Sequence, residues 1–167
     1  MKKWGLLLLL LIVGCSSQEG TEEPADKQPD NDTFSGYVMD QQENSILVVD
    51  KIENNGGSPI WITGVEKDMW LGKFVEVTID GPVAESYPMQ AEAGEVSVQE
   101  PEDTEGADLN ENQALASALS EVDRGNALAV ESMTYDKDQD QWVIKMRSTV
   151  TESGTEKVMV PDRNFEG

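Results

Sequence analysis

Between Phe34 and Gln99 the apolar residues come in short runs broken by turn formers, which restricts this stretch to brief strands and an all-β unit. Phe34 to Met39 is the first run. Ile46-Leu47-Val48-Val49 follows a polar stretch from Asp40 to Ser45, and Asn54-Asn55-Gly56-Gly57-Ser58-Pro59 makes a strong turn before Ile60-Trp61-Ile62. Phe74 to Ile79 alternates, with Val75, Val77 and Ile79 on one face and Glu76 and Thr78 on the other; Asp80-Gly81-Pro82 is expected to break it. Glu95 to Gln99 brings Val96 and Val98 to one face. Five such strands suit a small barrel, because closure removes the edges that short strands would otherwise expose.

Residues 100–108 are rich in acids and read as a linker after a barrel domain over residues 34–99. A second unit follows over residues 109–167. Asn110 can cap a helix in which Leu115, Ala118, Leu119 and Val122 recur at three- and four-residue spacing, and Gly125 is expected to end it. Strand-like runs then appear at Leu128 to Tyr135, Trp142 to Arg147 and Lys157 to Val160. The fold expected is mainly β: a five-stranded barrel followed by a small α+β (αβββ) extension. That extension is short for independent stability, so docking onto the barrel is the alternative to a free domain.

The N-terminal end carries an address. Residues 1–14 have the parts of a secretory signal: Lys2 and Lys3, an apolar stretch from Leu6 to Val13, and small Gly14 before the cut. The run is far shorter than the roughly 20 residues a spanning helix needs. Ile12-Val13-Gly14-Cys15 is similar to the bacterial lipoprotein signal, with Ile12 in place of the commoner Leu. The similarity implies cleavage between Gly14 and Cys15 and diacylglycerol on the Cys15 sulfur, each buried methylene contributing about 0.8 kcal/mol to anchoring. Residues 16–33, acidic and lacking large aliphatics before Phe34, are expected to be a disordered tether.

With 33 acidic residues against 12 basic ones, a net charge of −21, the chain has no run of Lys and Arg that would bind a phosphate backbone, so nucleic acid is excluded as a partner. The absence of histidine removes the usual serine and cysteine triads, imidazole metal sites and histidine acid–base chemistry. With Cys15 as the only cysteine there is no intrachain disulfide and no thiolate cage for zinc. No Gly-rich phosphate loop or Gly-x-Ser-x-Gly elbow occurs. No enzymatic activity and no cofactor are therefore expected.

Three pieces carry a family resemblance: Gly36-Tyr37-Val38 with Ile46-Leu47-Val48-Val49, Ile60-Trp61-Ile62, and Glu85-Ser86-Tyr87-Pro88-Met89-Gln90-Ala91. Through them residues 34–98 resemble the YobA-like family of Gram-positive lipoproteins, a domain family of unknown function (DUF family 3221). The resemblance implies an OB-like barrel and a place on the outer face of the cytoplasmic membrane, and it implies no reaction.

Glu85, Ser86, Tyr87, Pro88 and Gln90 mix a carboxylate, hydroxyls, a rigid ring and an amide on an expected barrel loop. Loops of this kind carry binding sites, and they also serve as plain turns. Trp61, with Trp70, offers an aromatic platform or core packing. Asp136, Asp138 and Asp140 open like a calcium loop. Gln141 and Arg147 replace its glycine and its bidentate glutamate, so the segment reads as a polar turn, with weak calcium or magnesium association as the alternative. The expected function is a lipid-anchored, non-enzymatic binding module contacting an envelope protein or a cell-wall ligand. A small envelope enzyme using carboxylates and a structural or stress-related surface lipoprotein are the competing readings.

Overall fold

A computed structural model describes residues 32–52, 57–151 and 154–163. The leader, Gly14, Cys15 and the tether up to residue 31 lie outside the described residues. Five strands, β1 (Thr33–Gln42), β2 (Ser45–Val49), β3 (Pro59–Thr63), β4 (Phe74–Ala84) and β5 (Met89–Gln99), close a barrel in the order β1-β2-β3-β5-β4. All pairings are antiparallel except β3 with β5. The closed five-stranded barrel expected from the sequence is observed. Helix α1 (Glu111–Glu121) and an antiparallel sheet of β6 (Leu128–Asp136), β7 (Gln141–Ser148) and β8 (Glu156–Pro161) follow it.

Two apolar cores explain the arrangement. Val38, Ile46, Val48, Ile60, Ile62, Val75 and Val77 point into the barrel. Their neighbours Tyr37, Met39, Leu47 and Val49 point outward and join Leu115, Leu119, Trp142, Ile144 and Met146 in a second core. Strands β1 and β2 are thus buried on both faces, which is why they read as unbroken apolar runs, whereas β4 alternates because its outer face is wet. The α+β extension completes the outer side of the barrel instead of standing apart.

Polar bonds fix the same junction. Gln41 Oε1 accepts the backbone N–H groups of Trp70 and Leu71, both at 2.9 Å. Arg124 pairs with Asp40 at 3.1 Å. Buried Asp162, just past β8, accepts the N–H groups of Asp108 (2.6 Å) and Leu109 (2.8 Å), tying the chain end to the entry of α1. Burial and the Glu111 carboxylate both push the Tyr37 phenol above its usual range, so this barrel residue feels the first turn of the helix.

The local signals held at one end of α1 and failed at the other. Asn110 and Gln113 make a reciprocal capping box, each side chain bonding the other's backbone N–H at 3.0 Å. Gly125 does not end the helix: α1 stops at Glu121 with Val122 extended, and Gly125 lies in a 3-10 turn (Arg124–Asn126) capped by Asp123. Asp80-Gly81-Pro82 does not end β4 either. Gly81 adopts φ 76° within a register irregularity, and β4 runs on to Ala84 against an early-starting β5.

Candidate functional site

The Glu85–Gln90 segment divides between two environments. Glu85 to Pro88 forms the tip between β4 and β5, while Gln90 lies within β5 directly beside Trp61 of β3. Ser86 Oγ donates to the Pro88 carbonyl (2.7 Å), and Gln90 Nε2 donates to Ser86 Oγ (3.1 Å). Tyr87 is 57% exposed, and its hydroxyl donates to the Thr149 carbonyl at 2.5 Å. These groups therefore spend their hydrogen bonds inside the protein, holding the tip against the C-terminal extension.

Trp61 packs on the second core and Trp70 on the barrel core, so the two do not form one platform. Asp136 Oδ1 accepts from the backbone of Asp138 (3.1 Å) and Gln139 (3.2 Å), closing the β6–β7 turn. Asp140 instead accepts the Tyr135 hydroxyl at 2.7 Å, which raises the Tyr135 phenol above its usual range. Among the described residues no group of three or more His, Cys, Asp or Glu side chains is placed to hold a metal ion.

A groove that sequence reasoning missed runs where the barrel meets α1. It has a volume of about 750 Å³, within the range of small-molecule and peptide pockets. Gln41, Met69 and Leu71 line it from the barrel; Asn112, Gln113 and Ser117 line it from the helix. Met69, 58% exposed, puts a flexible thioether in the lining of this groove. A second hollow of about 560 Å³, lined by Gln42, Glu66 and Trp70, shares Gln41 and Met69 with the first and lengthens it along the barrel end. The loop between them is held by Asp68, whose carboxylate accepts the Met69 N–H (2.7 Å) and the Lys73 ammonium (3.3 Å). Both bonds keep its pKa below the usual range.

The floor is unusually tight. Gly72, at φ 81°, brings the barrel loop so close to the helix that an added Cβ would stand 2.5 Å from the Asn112 carbonyl oxygen and 2.6 Å from the Ala116 nitrogen. On the same helix face Asn112 is only 9% exposed, and its Oδ1 is sealed from solvent with no hydrogen-bond partner. Leaving a buried amide oxygen unmatched costs about 1–3 kcal/mol. Asn112 lies three residues before Leu115 and seven before Leu119, at the head of the buried stripe, where packing alone would select an aliphatic side chain. A polar residue in that register was the available sequence signal.

Residues 35–100 match the family described as "Protein of unknown function (DUF3221)". The match bears out the resemblance carried by the barrel strands and the Glu85–Ala91 string, and it ends where the acidic linker begins. No curated protein and no solved structure matched the chain. Among the described residues no helix is long and apolar enough to cross a membrane.

Proposed function

We propose that this protein is a non-enzymatic binding module, held at the outer face of the cytoplasmic membrane by lipid on Cys15, and that its groove between barrel and α1 takes an extended segment of an envelope protein. The observation that carries this reading is the groove itself, about 750 Å³ between barrel and helix, with exposed Met69 and the lining residues Leu71 and Val98 giving it an apolar strip. A peptide supplies an apolar side chain for the Met69 thioether, whose flexibility suits varied partners, and backbone amides for the polar groups of the wall. Gln41, Gln113 and Ser117 add neutral hydrogen-bonding groups along the wall.

The lipid anchor is supported by Ile12-Val13-Gly14-Cys15 behind a charged and apolar leader. The test is site-specific photocrosslinking in membranes, with the reactive side chain at Ser117 and a control at Gly81 on the β4 bulge. A discrete adduct from position 117 and none from position 81 supports the reading; equal labelling from both removes it. Fractionation addresses the anchor separately: Cys15→Ser moves the protein out of the membrane fraction, and unchanged membrane retention would refute lipidation.

A further inference from the structure

The outer face of the β6-β7-β8 sheet gathers basic residues that are scattered in the sequence. Lys145 on β7 stands opposite Ser132 on one side and Lys157 on the other, so two ammonium groups share one cross-strand row. The next row is Thr134, Val143 and Met159, the last 53% exposed. Strand alternation puts Arg147 on this face too. A hollow of about 520 Å³ opens over Ser132, Thr134, Val143, Lys145 and Lys157.

Like charges directly opposite on a sheet destabilise it, and a chain with 33 acids has ample means to neutralise a lysine pair. It does so elsewhere: Lys73 meets Asp68, Arg124 meets Asp40 and Lys137 meets Glu105. Among the described residues Lys145, Arg147 and Lys157 have no such partner. Two nearby acids are engaged elsewhere, Glu131 accepting from Thr155 Oγ1 (2.9 Å) and Asp136 Oδ1 closing its own turn. Asp136, Lys137 and Asp138 border the hollow at one end, two carboxylates and one ammonium.

We infer that this face is a binding site for a small phosphorylated molecule, separate from the groove, in which Lys145 and Lys157 hold the phosphoryl oxygens while Ser132 and Thr134 donate hydroxyl hydrogen bonds. A single phosphoryl group fits better than a polyanion. The strongly negative remainder of the surface repels a long anionic chain, while a compact dianion between two ammonium groups relieves their mutual repulsion.

The test is a titration of the full chain with inorganic phosphate at fixed pH and ionic strength, read by amide chemical shifts. Saturable changes centred on β6, β7 and β8 are expected, with Lys145→Gln and Lys157→Gln each weakening the interaction at least tenfold and Lys67→Gln leaving it unchanged. At phosphate five times its Kd, Tm rises by about 2–4 °C in the wild type and not in the two sheet variants. Both variants remove a repulsion and remain folded, so loss of response is a loss of binding. Non-saturating shifts spread over the surface, or a wild-type response in Lys145→Gln and Lys157→Gln, would overturn the assignment.

Discussion

Replacing Gly72 by alanine separates the strain of an unusual backbone from the closeness of two packed elements. The residue sits at φ 81°, a left-handed conformation that costs an L side chain about 1–2 kcal/mol. The new methyl group would also meet helix backbone, with the Asn112 oxygen, Ala116 nitrogen and Ala116 Cα all within 2.9 Å. Backbone cannot rotate aside, so α1 must move, and overpacking of that kind costs about 1–3 kcal/mol more. The sum, about 2–5 kcal/mol, is a large share of a typical domain's stability. Gly81 supplies the control: its φ is 76°, but an added Cβ meets nothing within 4 Å, so Gly81→Ala should lose only the conformational part, about 1–2 kcal/mol. Urea unfolding followed by tryptophan fluorescence reads both, since Trp61 and Trp142 border the shared core and Trp70 the barrel core. If Gly72→Ala cost no more than Gly81→Ala, the barrel would not be seated on the helix as described.

Asp162→Ala removes the acceptor for two N–H groups, one of them on buried Leu109. It should lower stability by about 2–3 kcal/mol in the same urea assay, and a change below about 0.5 kcal/mol would show those bonds to be replaceable. Tyr37 and Tyr135 hold their protons more tightly folded than unfolded, so stability is fully present below about pH 10 and falls as pH rises past that value. Absorbance at 295 nm should show Tyr37 and Tyr135 ionising above the usual phenol range in the folded protein; if replacing either by phenylalanine left the folded titration curve without loss of a displaced step, the burial of Tyr37 or the Asp140 bond to Tyr135 would be wrong.

The barrel was legible because its information is local. Alternation at Val75, Val77 and Ile79 reports one wet face, and the run from Ile46 to Val49 reports two covered ones, although the covering partner had to be seen. The capping pair Asn110 and Gln113 likewise acts within one turn. Gly81-Pro82 misled because a bulge absorbed residues that elsewhere stop a strand, and Gly125 because the helix ended earlier, where Val122 turned extended. The groove was hidden for a different reason. Gln41, Met69 and Ser117 are far apart in the chain and become neighbours only when the second core forms. The one local trace was Asn112, an amide at the head of a stripe of apolar residues, and it passed unread. The lysine row followed the same rule, since only strand register places Lys145 opposite Lys157.

The most direct measurement of the binding account is Met69→Asp, read twice on the same protein. The substitution changes an exposed side chain of the groove, so urea unfolding should shift by no more than about 0.5 kcal/mol. Crosslinking from position 117 should meanwhile disappear, because a charge has replaced the apolar contact for the partner. A variant that is equally stable yet still captures its partner would contradict the claim that this groove takes it.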